Sequence, residues 1–405
     1  MDNLTHSLTG LALGELIERS LPGEPDPLHA RVRHRLLLVS CWAASNFPDL
    51  DLVLTGLGPR PLGYLLEHRG HTHTLVGTMP QALLLMAAIW LLWPAGRGLL
   101  RSSRIALGGM LGAVAAGLLL HIGMDFLNVY GVHPFYPFDN RWVYGDLVYI
   151  VEPVFWVAFG VPLAMLSGRR AHWLWLAVLA LVLIAFMVLG FLTWWSLAGL
   201  FAGGLMIVLS KSSSGKRGRR GLAAGCALLA IFLCGQLMAE RAARALVAGQ
   251  PGRGRLLDVA LSAFPANPVC WSLVTVRQDD DTQQMVLRHG LLSLLPGLVP
   301  VSSCPARFGG SANPPDASAR VAWQWEQSLS LARLRSLRER DCAVDAWLRF
   351  ARAPSLAGER ATDVRFGPPG APNFSTLQLS TIRECAFPVP PWGYPRADVL
   401  AVSPH

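Results

Sequence analysis

Seven residues, His68 to Thr74, read HRGHTHT and set three histidines and an arginine directly before an almost wholly apolar run. Neutral imidazole is the commonest metal ligand among side chains, so the cluster is a candidate metal site. Spacings of three (His68, His71) and two (His71, His73) prevent one helix face from presenting all three, so at most two share an ion. His73, where the next apolar segment begins, is the first candidate and His68 the second; His71 is expected to face solvent. Arg69 offers a planar fork of donors suited to a phosphate or carboxylate, the plainer reading being an interfacial anchor.

Three further stretches carry the same chemistry. In LLLHIGMDFLN, His121 and Asp125 stand four residues apart on a helical pattern, so both project from one face and can grip one ion. The plainer reading is a His–Asp hydrogen bond inside a bundle, but ionisable groups within a span are costly and usually line a site. Asn128, about one turn on, is placed to orient a ligand or substrate. In SNFPDLDL, Asp49 and Asp51 follow Pro48, where a helix should end, and either ligate or simply cap and solvate that end. His6, in MDNLTHSLTG, gains its weight from company. His6, Asp49, His68, His73, His121 and Asp125 are thus the candidate metal ligands. Mixed nitrogen and oxygen donors favour a divalent transition metal, zinc first, with manganese and iron compatible and calcium disfavoured. Such a metal lowers the pKa of a bound water until hydroxide is available near neutral pH, which makes hydrolysis the natural reaction.

The elements that must position these residues are membrane helices. The chain has 405 residues, 52% hydrophobic and 15% charged, with a mean hydropathy of +0.38 that lies outside the range of soluble globular proteins. Segments long enough for a hydrocarbon core of about 30 Å are Thr74–Trp93, Ile105–Phe126, Leu147–Leu166, Trp173–Leu192, Thr193–Leu209 and Gly221–Ala239, preceded by two shorter ones, Leu4–Glu18 and Leu36–Phe47. About eight helices, two of them short, are therefore expected, with residues 1–166 forming a metal-site domain and 167–239 adding further spans. No cleaved signal peptide is expected, because no early Lys or Arg precedes the first apolar stretch.

Arg97, Arg101 and Arg104, Arg169 and Arg170, and Lys211, Lys216, Arg217, Arg219 and Arg220 form three purely basic loops, which belong on the cytoplasmic side. These ten charges account for the formal net charge of +9, so the basic balance reports topology and gives no reason to expect nucleic acid as a partner. Alternation of spans then puts every His- and Asp-rich stretch, and the tail from Glu240, on the outer face. That assignment needs Trp173–Leu209 to be two helices turning at Thr193-Trp194-Trp195.

Residues 240–405 carry charges of both signs, many prolines and no span, and are read as a soluble α+β domain on the periplasmic side. Strands are expected at Cys270–Arg277, Gln284–His289, Asp363–Gly367 and Ala397–Val402, and an amphipathic helix at Ala322–Ala351. Cys270, Cys304, Cys342 and Cys385 permit two disulfides in an oxidising compartment; the alternative is four buried thiols. With no CxxC, a zinc ribbon is not expected.

In the order MDNLTHSLTG, NFPDLD, HRGHTHT and HIGMDFLNVYG, then YPF at Tyr136–Phe138 and Glu152-Pro153, the first 170 or so residues resemble the bacterial inner-membrane metal-dependent hydrolases, a family also described as LexA-binding. That family is distantly similar to the zinc-dependent phospholipase C and P1 nuclease group. The resemblance aligns His121 and Asp125 with that group's His-x-x-x-Asp metal pair, and His6, Asp49 and His73 with its other early ligands. A second His-x-x-x-Glu helix is missing, unless His133, Asp146 or Glu152 stands in. What the resemblance implies is hydrolysis of a phosphoester or lipid-derived ester, with Arg69, and Arg141 as a second clamp, stabilising developing charge. Asp51 or Glu152 would take the proton from the attacking water. Two other functions fit the residues: a metal transporter or channel, and a non-enzymatic partner-binding membrane protein with a structural metal. Membrane lipid is the one partner the composition itself implies.

Overall fold

The computed structural model describes residues 1–210, 217–305, 316–379 and 387–400. Two compact units divide the chain: Met1–Leu50, Thr72–Phe126 and Ile150–Gly235 form the first, and Asp51–His71, Leu127–Tyr149 and Gln236–His405 the second.

In the first unit, the helix Asn3–Ser20 begins at Asp2, whose carboxylate accepts from the Thr5 amide at 3.0 Å. Pro27–Ala44 begins at Asp26, which accepts from the Leu28 amide at 2.7 Å, with proline at the first helical position where no amide hydrogen is needed. These two helices pack on Arg104–Phe126 around Leu36, Leu37, Cys41, Met110, Val114 and Leu118. Glycine permits the close approach. A Cβ at Gly10 would lie 2.5 Å from Ser45 Oγ, and one at Gly117 would lie 2.7 Å from Ala44 Cβ and 2.9 Å from the Cys41 carbonyl oxygen.

The expectation of about eight membrane helices is too high. Among the described residues three helices are long and apolar enough to cross a membrane, Arg104–Phe126, Arg170–Val188 and Gly218–Ala248, or up to five if two bent pairs each count as one span. Rise per residue explains the difference. Thr78–Leu92 has 15 residues and Trp194–Leu209 has 16, so at about 1.5 Å each they fall short of a hydrocarbon core. The expected span Leu147–Leu166 shrinks to Pro153–Leu166, because proline disfavours helix at the residue before it and Glu152 caps the Val154 amide instead. Trp173–Leu209 does divide in two, Thr193 capping the second helix through the Ser196 amide.

The second unit is built on antiparallel sheet, as the α+β reading anticipates. Strands β1 (Arg255–Phe264), β2 (Asn267–Asp279), β3 (Gln284–Ser293), β4 (Asp316–Ala317) and β5 (Val321–Ser330) lie in the order β1-β2-β3-β5-β4. A smaller sheet orders β6 (Pro354–Ala357), β7 (Arg360–Asp363) and β8 (Leu377–Gln378) consecutively. Trp347, Phe350 and Trp392 form the core with Leu62, Leu65, Leu66, Tyr130 and Trp142, so the two N-terminal excursions belong to this unit because their apolar side chains are buried there. Arg352 ties one of them in: it pairs with Asp146 at 2.9 Å and with Asp258 of β1 at 2.7 Å.

Three tail elements differ from expectation. Ala322–Ala351 is not one helix: Val321–Ser330 is the partner strand of β3, and helix starts only where Ser330 caps the Arg333 amide, running Leu331–Arg340 and then Cys342–Leu348. Asp363–Gly367 turns rather than extends, since Asp363 accepts from the Arg365 amide and opens a short 3-10 turn. Ala397–Leu400 is helical, and residues 401–402 of that expected strand lie outside the described residues. Cys270 and Cys304 form a disulfide; Cys385 lies outside the described residues.

Candidate metal centre

Four side chains from three stretches of the first unit converge. One ligand atom each from Asp49, His73, His121 and Asp125 lies within 4.8 Å of all the others, and all four residues are buried. His121 and Asp125 come from one face of Arg104–Phe126, as their spacing requires, and Asp49 follows the end of Pro27–Ala44. His73 ends a single 3-10 turn, His71–His73.

Orientation of His121 is set from outside the cluster. Its Nδ1 lies 2.7 Å from the carbonyl oxygen of Ser45, a group left without an intrahelical partner at the end of Pro27–Ala44. A carbonyl only accepts, so Nδ1 donates and the neutral ring turns the lone pair of Nε2 inward. That nitrogen is 3.0 Å from His73 Nε2, 3.4 Å from Asp49 Oδ1 and 3.7 Å from Asp125 Oδ2. His73 Nε2 in turn stands 3.2 Å from Asp125 Oδ2 and 3.5 Å from Asp49 Oδ1, its Nδ1 being 3.0 Å from Thr72 Oγ1. Two ring nitrogens facing each other between two buried carboxylates form a donor set that fits a divalent cation.

His6 joins the group from the first helix. Its ring stacks on His121 at 3.9 Å and its Nε2 is 3.3 Å from Asp125 Oδ1, which the amino group of Met1 also contacts. It thus contacts His121 and Asp125, and the four-atom set does not include it.

The other predicted residues are placed differently. In the second unit Asp51 accepts from the backbone amide of Arg69 at 3.1 Å and pairs with His68 Nδ1 at 2.9 Å. Arg69 is buried, has a left-handed backbone (φ 60°), donates to Asn128 Oδ1 at 3.0 Å and lies over the Tyr130 ring at 4.8 Å. His71 is exposed, as expected, against Trp392. Arg141 is exposed and paired with Asp139. Of the residues considered as a second metal-binding group, His133 is sandwiched between Trp142 and Trp392, Asp146 is taken by Arg352 and Arg244, and Glu152 caps a helix in the first unit. Reasoning from residue types missed Ser45 and Thr72, since a backbone carbonyl and a neighbouring hydroxyl have no signature; the helix end ahead of Pro48 was the one available signal.

Residues 1–197 match the family model described as YdjM inner membrane protein, which agrees with the inner-membrane resemblance of the N-terminal half. The chain is also 27% identical over 167 residues to a Bacillus subtilis (strain 168) relative described as "Uncharacterized protein YfhP". That alignment covers 41% of this chain and 46% of the relative, so it spans about half the length of the curated relative. No solved structure matches.

Proposed function

With its first 197 residues matching the YdjM inner membrane protein family, we propose that this chain is a membrane-embedded, metal-dependent hydrolase of a phosphoester or lipid-derived ester. The observation that carries the reading is the convergence of Asp49, His73, His121 and Asp125 within 4.8 Å, with His121 locked in its inward orientation by Ser45. A divalent ion, zinc by donor set, supplies Lewis acidity and an activated water at such a site. His6 holds Asp125 from the far side and limits its rotation.

Arg69, four residues before His73 in the chain and fixed by Asn128, is the proposed cation for substrate oxygen. Asp51 or Glu152 is the proposed acceptor of the water proton. The outer, periplasmic side is proposed for the C-terminal sheets, supported by the Cys270–Cys304 disulfide.

A structural metal is the second reading, favoured by the full burial of His73, His121 and Asp125. The test is elemental analysis and phosphodiester hydrolysis on detergent-purified wild type beside His121→Ala and Asp125→Ala. About one divalent ion per chain, lost in both variants together with hydrolysis, supports the enzyme. Metal lost without any hydrolysis in the wild type supports the structural role, and a wild type that takes up no metal overturns both.

A further inference from the structure

The first unit contains a cavity of about 330 Å³ on its apolar flank, in the size range of ligand sites. Leu4, Leu8 and Leu11 of the first helix form one wall, Trp156 and Gly160 a second, and Leu179 with its neighbours on Arg169–Val188 the third. Three features identify what fills it.

The lining is almost entirely apolar, and two of its polar side chains are already satisfied by protein: Trp156 Nε1 donates to Thr5 Oγ1 at 2.9 Å and Ser167 Oγ to the Ala164 carbonyl at 2.6 Å. Water, which needs about two to four polar partners, is poorly held in such a space. The third wall belongs to the span Arg170–Val188, of which 6% of the apolar window is buried inside the protein, so this flank faces bilayer hydrocarbon. Finally, Trp156–Gly160 is a π-helical turn, a local distortion frequent at functional sites, and it brings Gly160 to the cavity wall with no side chain.

We propose that this groove holds an acyl chain of a membrane phospholipid as a resident ligand. No Lys, Arg or His lines it, so a bound amphiphile keeps its charged head outside at the interface and puts only its chain in the groove, and phospholipid is the bulk amphiphile of the bilayer that this flank faces. The resident lipid is distinct from a substrate. At about 100° per residue, Leu4, Leu8 and Leu11 share a face about 60° wide, and His6 projects about 190° away, toward Asp125. The chain therefore supports the first helix from behind, and Trp156 connects the groove to the turn that carries His6 through Thr5.

Gly160→Leu tests this, because Gly160 has helical dihedrals (φ −64°, ψ −41°) and a Cβ there meets nothing closer than Leu179 Cδ2 at 3.8 Å. Native mass spectrometry of the detergent-purified chain should show one phospholipid per wild-type molecule and at least a tenfold lower occupancy in the variant. Val178→Trp, filling the groove from the facing wall, should do the same if Gly160→Leu fails to fold. Metal content is read in parallel and is expected to be unchanged, so this inference and the metal-centre reading fail separately. Equal phospholipid retention in the filled variants, retention of detergent or free fatty acid alone, or a wild type that carries no lipid overturns the proposal.

Discussion

Ser45 holds His121: the carbonyl oxygen of the one lies 2.7 Å from Nδ1 of the other, across two helices and 76 residues of sequence. A backbone atom at a helix end thus fixes the tautomer of a candidate ligand. Its geometry depends on how closely the helices approach, and that approach depends on glycine.

Gly117 stands one turn before His121, and a side chain there would press on Ala44 Cβ, the Cys41 carbonyl and the Ser45 amide. Gly117→Leu is expected to reduce metal loading severely although residue 117 itself offers no ligand atom. Gly112→Leu, on the same helix with nothing within 4 Å of its Cβ, is expected to leave loading intact. Elemental analysis of the pair decides whether helix approach positions the site.

Thr72 makes a subtler contribution. Thr72→Val keeps the shape and removes the hydroxyl 3.0 Å from His73 Nδ1. Loss of such an outer contact weakens metal binding by about 10–100-fold. Chelator competition should show that loss, with His73→Ala abolishing binding altogether.

Arg352→Met removes a guanidinium that pairs with both Asp146 and Asp258 in a buried setting. Leaving those carboxylates with fewer partners is expected to cost the second unit about 3–5 kcal/mol, read from denaturant unfolding of the full chain. Burial works against the charge on Asp258, yet Arg352 holds its carboxyl down to about 2, so this contribution is present above the ordinary carboxylate range and fades as pH falls toward 2.

His289 should give the second unit a distinct dependence on pH. Packed on Trp325 between β2 and β5, its imidazole is pressed by burial from 6.5 down to about 4. The unfolded chain therefore binds the extra proton between those values, and stability is full above about 6.5 and lost as pH falls to 4. The expected loss is roughly 3 kcal/mol across that window. His289→Leu should flatten the curve there; an unchanged slope would refute the assignment.

Much of the candidate centre was legible because its ligands sit on elements whose periodicity is local. His121 and Asp125 needed only a helix, Asp49 only the stop at Pro48, and His73 only the onset of an apolar run. Composition alone, with an ordered set of polar clusters, was enough for a membrane-embedded helical region and a compositionally separate tail. Span number was overestimated because apolar length counts residues before capping and proline remove them, as Glu152-Pro153 does. The tail was harder still. Val321–Ser330 reads as part of an amphipathic helix until β3 offers it a ladder of backbone hydrogen bonds, between residues 29 to 46 positions apart in sequence. The same non-local physics decided the partition of the histidine cluster. His73 turns to His121 and Asp125, while His68 pairs with Asp51 in the other unit, because Leu62, Leu65 and Leu66 bury their segment in the core around Trp347 and Trp392. Residue types and spacing determined which atoms were available to bind a metal; only the packing of glycine-faced helices and the burial of that excursion decided which of them meet.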